Sequence, residues 1–310
     1  SPSGNTYSAL PAVLGGYEYT AYNMNMQRKE LPLAEKILES ARILPLNFKR
    51  AGYGATIISP GWSSLKFKPT DDLGGAILED PADVCMKAWL KERAGGLSIR
   101  DDLPEKFIAF GLFRSVSPLF RETLYDKGNW LIHPWRITST HRDKVVVYPK
   151  NREMIKAIQE YAALDYLPQL TSIDNSTKNS FVMIFNNSPH EPWAYNELFE
   201  IDLSGSIEYS KEMLHRYGNS LTSVKHVCGD TTVLVTFARW LRFLKENGVY
   251  DNTRIVVISD HGAGIHVPNL VAETEANHAV SAAFRASVNS LFMVKDFGSR
   301  GELKIDDKFM

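Results

Sequence analysis

The residues best suited to chemistry are Asp260, His261 and Gly262, which directly follow the apolar run Ile255-Val-Val-Ile-Ser259. A carboxylate offers a hard oxygen and a neutral imidazole offers a ring nitrogen, a mixture that suits a divalent cation of the zinc or manganese type. The same pair can also form a bland turn, with the aspartate capping it beside a satisfied histidine. Two ligands do not close a site. A further acid and an oxygen are needed, and Thr6 can supply the oxygen. A hydroxyl bound to a divalent ion loses its proton more readily, which makes Thr6 a candidate nucleophile toward a phosphoryl or sulfuryl centre. His190 and His266 are candidates to hold the transferred group or to protonate the leaving oxygen. Each is a lone histidine, so its role depends on convergence with Asp260 and His261. His133, Arg136, His141 and Arg142 cluster within residues 131–142. Guanidinium groups there can pair with anionic oxygens, although a solvated charged loop explains the same residues.

These side chains need elements to position them. Residues 255–259 are mostly β-branched and read as a strand buried on both faces, with Asp260 and His261 emerging at its carboxyl end, where open α/β sheets bind ligands. Residues 55–59, 180–185 and 287–294 are further strand candidates. His190 follows the second of these in the proline-flanked loop Asn186-Asn-Ser-Pro-His-Glu-Pro-Trp193. Residues 7–16 form a short helical pattern closed by a glycine pair, with Thr6 at its amino end, where unpaired N–H groups and the helix dipole favour anions. Thr6 or Ser3 can instead simply cap that helix.

Helical patterns also occupy residues 82–93, 154–167 and 230–246, the last with Asp230-Thr-Thr at a capping position. Residues 33–51 are apolar at helical spacing, but Pro45 argues against one uninterrupted helix. The aromatic stretch at 103–130 reads as an inserted helical hairpin, with a membrane-apposed surface as the alternative. The expected fold is therefore α/β, a mostly parallel central sheet flanked by helices on both faces. It forms a single domain over residues 1–310 with a helical insertion within 82–142.

Composition excludes several classes. The 310 residues carry 35 basic and 36 acidic side chains, a net charge of -1, so no field gathers nucleic acid. With 44% hydrophobic and 23% charged residues the chain is ordinary globular protein. The two cysteines, Cys85 and Cys228, make neither a zinc cluster nor a disulfide framework. No apolar run approaches the roughly 20 residues that cross a bilayer. The chain opens on Ser1-Pro-Ser-Gly4 and ends at Met310, which is expected of a piece of a longer protein truncated at both ends.

The motifs resemble the alkaline phosphatase and sulfatase superfamily, especially its membrane-anchored branch of lipoteichoic acid synthases and phosphoethanolamine transferases. Ile258-Ser-Asp-His-Gly262 is similar to that branch's metal-binding strand end, and Asn247-Gly-Val-Tyr-Asp-Asn-Thr-Arg254 to its lead-in. The segment Thr6-Tyr-Ser-Ala-Leu-Pro-Ala-Val-Leu-Gly-Gly16 is similar in layout to the sulfatase signature, and Asn186 to Pro192 resembles the loop whose histidine contacts substrate. The resemblance implies Thr6 as nucleophile and metal ligand, Asp260 and His261 as metal ligands, and His190 and His266 as substrate contacts. It implies a divalent metal, zinc or manganese first and calcium or magnesium next. The family's remaining acidic ligand precedes the nucleophile helix, so it is expected upstream of Ser1.

Sulfatases carry a cysteine or serine that becomes formylglycine where this chain has threonine. Threonine suits transfer of a phosphoethanolamine or phosphoglycerol group from a lipid donor. The implied protein is a soluble extracytoplasmic domain at a bacterial cell membrane, anchored through segments outside this chain, with a lipid-linked or anionic ester substrate. A sulfate or phosphate ester hydrolase and a catalytically inactive binding module are the alternatives.

Overall fold

The computed structural model describes residues 5–27, 31–58, 73, 77–78, 81–93, 121, 152–174, 178–202, 207–263 and 287–305. Ser3, His266, the 131–142 cluster and the stretch 103–130 apart from Arg121 lie outside the described residues.

Helix α1 (Thr6–Gly15) begins where Asn5, in extended conformation at φ -148 and ψ 151, accepts the Ser8 backbone N–H on its side chain at 3.1 Å. Asn5 is therefore the cap, and the Thr6 hydroxyl is not spent on that task. Gly16, at φ 84, ends the helix. A 3-10 turn (Tyr17–Tyr19) and α2 (Ala21–Gln27) lead to α3 (Leu33–Arg50). Helix α3 runs through Pro45 unbroken, contrary to expectation. Ile37, Ala41 and Pro45 recur every four residues and are all buried, so one packed face outweighs the single backbone donor that proline removes.

Gly52, at φ 88, turns the chain into β1 (Gly54–Ile58). This strand is the middle of a three-stranded parallel sheet in the order β2-β1-β3, where β2 is Ile77–Leu78 and β3 is Ser180–Ile184. Ile57 pairs with Ile77 on one side and Met183 on the other. Ile57 faces α1 and α3, packing with Ala41, Leu73, Leu14 and Leu46. On the opposite face, Ile58 and Ile184 line a shallow cleft with Leu164 and Leu167 of α5 (Arg152–Asp165) and α6 (Leu167–Leu170). The α/β arrangement with helices on both sheet faces is the one expected. Phe185, the residue after β3, packs against Leu10, Leu14 and Ile37 and so joins the end of that strand to α1.

A second core lies among α4 (Ala82–Arg93), α5 and α8 (Leu221–Glu246) and includes Cys85, Trp89, Ile158, Tyr161, Val224 and Cys228. Between them in sequence, α7 (Lys211–Arg216) is a short helix capped by Ser210. Helix α8 starts nine residues before the expected position, with Ser220 accepting the Ser223 N–H at 3.2 Å. Asp230 is thus not a cap. It lies inside the helix with Oδ2 2.9 Å from His226 Nδ1. Arg239 ties α8 to α5 through Asp165 at 2.9 Å.

Strand β4 (Ile255–Ile258) pairs antiparallel with β5 (Phe292–Lys295), with Val256 opposite Val294 and Ile258 opposite Phe292. The expectation that β4 is buried on both faces does not hold. Val256 is 53% exposed and Ile258 43%, and across the ribbon Phe292 and Val294 are 65% and 54% exposed. A uniformly apolar run identifies a strand but not which of its faces is covered.

Both cysteines are buried and outside any disulfide, and burial pushes the Cys228 thiol up to about 11. The thiolate is the reactive form. Neither cysteine is therefore expected to react with an aromatic disulfide reagent in the folded chain, and both should react in guanidinium. Prompt release of the coloured thiol from the native protein would contradict this burial.

Candidate active site

The carboxyl end of β4 is held open by contacts with the segment that precedes β5. The Ser259 N–H donates to the Leu291 carbonyl at 3.0 Å, the Leu291 N–H donates to Ser259 Oγ at 2.7 Å, and the Gly262 N–H donates to the Ser287 carbonyl at 2.8 Å. Asp260 and His261 lie between these anchors, beyond the last ladder pair, so neither is confined to the alternation of a strand. Their side chains are 26% and 25% exposed, open to a ligand yet partly desolvated.

The histidine tautomer follows from its neighbours. His261 Nδ1 lies 2.6 Å from the Gly262 carbonyl, which can only accept, so Nδ1 carries the proton. Nε2 faces Thr6 Oγ1 at 3.3 Å and Asp260 Oδ2 at 3.5 Å, and without a proton it is the lone pair that a cation would take. The hydroxyl can donate to Nε2. The carboxylate cannot, and two acceptors so close to one another are reconciled by a positive charge between or upon them. A hard oxygen, an imidazole nitrogen and a hydroxyl thus converge from residues 255 positions apart in sequence. This donor set fits a divalent cation. Among the described residues, no cluster of three or more His, Cys, Asp or Glu side chains adds to it.

Thr6 reaches this point because α1 is fixed from behind. Leu10 and Ile37 are buried together with Leu14 and Phe185 around them, so α1 cannot roll without disturbing α3 and the end of β3. With Asn5 satisfying Ser8, the first turn presents its side chain at Thr6 to His261.

His190 comes from a different element. It is exposed in the loop after β3, where its backbone N–H donates to the Asn187 carbonyl at 2.9 Å and its Nδ1 to the Glu191 carbonyl at 2.7 Å. No hydrogen bond joins it to Thr6, Asp260 or His261. His266, the other expected substrate contact, lies outside the described residues.

The loop carrying His190 is built more firmly than its sequence suggests. Glu160 of α5 accepts the Asn187 N–H on its carboxylate at 3.0 Å and the Asn186 side-chain amide on its carbonyl at 2.8 Å. Tyr195, fully buried, donates its hydroxyl to the Ser188 carbonyl at 3.0 Å, and burial raises its phenol well above the ordinary value so that it remains a donor. Trp193 donates its indole N–H to the Pro189 carbonyl at 2.8 Å. Sequence reading missed Trp193, Tyr195 and Glu160 as supports of the site. The aromatic pair two residues apart after a Pro-His-Glu-Pro run was the available signal.

The family model for Sulfatase matches residues 126–285, a span that holds β3, the His190 loop, α8, β4 and the Asp260-His261-Gly262 end. The search among curated proteins returned no match. Domains of the matched family are generally metal-dependent and act as ester hydrolases or transferases. Because the match extends over more than half of the chain and includes the strand end from which Asp260 and His261 emerge, the chain belongs to the Sulfatase family, within the alkaline phosphatase and sulfatase superfamily.

Proposed function

We propose that this domain transfers a phospho-alcohol group, of phosphoethanolamine or phosphoglycerol type, from a lipid donor to an acceptor alcohol through Thr6. The observation that carries the reading is the Thr6 hydroxyl, which leaves capping to Asn5 and meets His261 Nε2 at 3.3 Å. Thr6, Asp260 and His261 would hold the divalent ion expected of the family, zinc or manganese by donor type. When bound, that ion favours the deprotonated hydroxyl and offsets charge developing on the phosphoryl oxygens.

The chain's own residues do the rest. Thr6 Oγ1, its proton given up to solvent, attacks phosphorus, the bond to the glycerol oxygen of the lipid breaks, and diacylglycerol departs with a proton that we assign to His190. An acceptor hydroxyl then attacks the phosphothreonine ester and passes its proton to the now neutral His190, the bond to Thr6 Oγ1 breaks, and that oxygen takes a proton from solvent, which restores the threonine. His266 is assigned as a second substrate contact. The lipid donor implies a domain at the extracytoplasmic face of a bacterial membrane, anchored outside this chain. No described helix is itself long and apolar enough to cross a bilayer.

Incubation with phosphatidylethanolamine or phosphatidylglycerol vesicles and manganese, followed by acid quench and peptide mass spectrometry, tests the covalent step. The expected result is the head-group phosphate mass on the peptide that contains Thr6. Turnover of donor without any such adduct would speak against threonine attack. Release of free head-group phosphate with no acceptor product would identify water as the acceptor and the protein as a hydrolase.

A further inference from the structure

We propose that Gly229, Trp193 and Tyr195 form a device that positions His190, with His226 and Asp230 bracing it from α8; the proposal rests on reading His190 as a substrate contact. Gly229 lies well inside the 26-residue helix α8, an unfavourable place for the poorest helix former after proline. Its bare surface is occupied. A methyl group there would come within 2.9 Å of Trp193 Cδ1 and 3.4 Å of Tyr195 Cδ2. The two rings that need the missing side chain are the two that grip consecutive carbonyls ahead of His190. Tyr195 holds the carbonyl of Ser188 and Trp193 that of Pro189.

The bracing is directional. His226 lies one turn before Asp230 on α8, and the carboxylate holds Nδ1 at 2.9 Å. The imidazole meets the indole edge-on, with centroids 5.6 Å apart and planes at 72°. Trp193 is thereby confined between the Gly229 surface and the His226 ring, with its N–H aimed at Pro189. His190 is exposed and, among the described residues, bonds only locally, so the backbone just before it sets where its ring stands. None of these groups touches Thr6, Asp260 or His261. They are positioning residues, and they act through Trp193 and Tyr195 on the backbone of the loop.

Histidine ring-labelled chain, with His190 signals identified through His190→Gln, provides a readout by two-dimensional NMR that needs no substrate. Trp193→Phe keeps an aromatic ring and adds no atoms but removes the N–H. The His190 resonances are expected to shift in this variant and in Gly229→Ala, while those of His261 stay in place. His226→Ala should shift them as well, and His226→Phe, which restores an edge-on ring, should bring them back. If Gly229→Ala fails to fold, Trp193→Phe decides. Unmoved His190 resonances in folded Trp193→Phe would overturn the proposal.

Turnover of the vesicle donor gives the second readout. In Trp193→Phe, kcat should fall about tenfold with KM within about twofold, the pattern of a misplaced proton donor rather than a lost binding contact. A kcat equal to wild type alongside shifted His190 signals would retain the positioning device and instead refute a substrate role for His190.

Discussion

Replacing Thr6 with alanine is expected to lower lipid phosphodiester turnover by at least about 10³-fold, the scale on which covalent nucleophiles are missed. The same change should not lower the melting temperature. Asn5, not Thr6, is the cap of α1, and alanine is the better helix former within the first turn. Thr6→Ser retains the hydroxyl and should keep activity within about tenfold of wild type. Asn5→Ala provides the opposite control, since loss of the cap costs about 1 kcal/mol of stability while the nucleophile stays. Steady-state rates and calorimetric melting of the three variants check the assignment. Full activity in Thr6→Ala would end it.

The second large effect concerns the cation. Asp260→Asn leaves the shape of the side chain but removes its charge, and His261→Ala removes the lone pair that faces Thr6 at 3.3 Å. Each is expected to weaken manganese or zinc binding by about 100-fold or more, measured by titration calorimetry on the chain without substrate. Thermal stability gives an independent check. At a free metal concentration 100 times the dissociation constant, wild type gains about 2.7 kcal/mol, a gain that the variants should lose at the same concentration. Wild type that binds neither ion, or variants that bind like wild type, would refute Asp260 and His261 as ligands.

Much of the fold could be read from local patterns. The runs at 55–59, 180–185 and 255–259 all became strands within one residue of the expected bounds, because each is a short apolar segment flanked by polar or glycine residues. What went astray depended on contacts distant in sequence. The antiparallel pairing of β4 with β5 and its uncovered face are facts of strand register, which no run of valine and isoleucine encodes. Helix α8 was expected to begin at Asp230 because Asp230-Thr-Thr suits a cap. Gly229 is there for Trp193 and Tyr195, and the helix passes through it.

The site divides similarly. Aspartate and histidine at a strand end announced themselves by type, but the meeting of Thr6 with His261 is a tertiary contact across most of the chain. Thr6 or Ser3 was the cap expected from sequence, and only the geometry gave that place to Asn5. His190 shows the limit from the other side, since its residue type and loop were legible while the hold of Glu160, Trp193 and Tyr195 on that loop was not.

Phe185 has a consequence for how this site can change. Its ring is packed among Leu10, Leu14 and Ile37 behind the helix that carries Thr6, and the next residue, Asn186, opens the loop that carries His190. The two are therefore one mechanical part. A substitution that retunes the histidine loop by way of Phe185 also moves the threonine helix, so refinements made separately at either end will not add, and a new substrate geometry must be reached by altering both together.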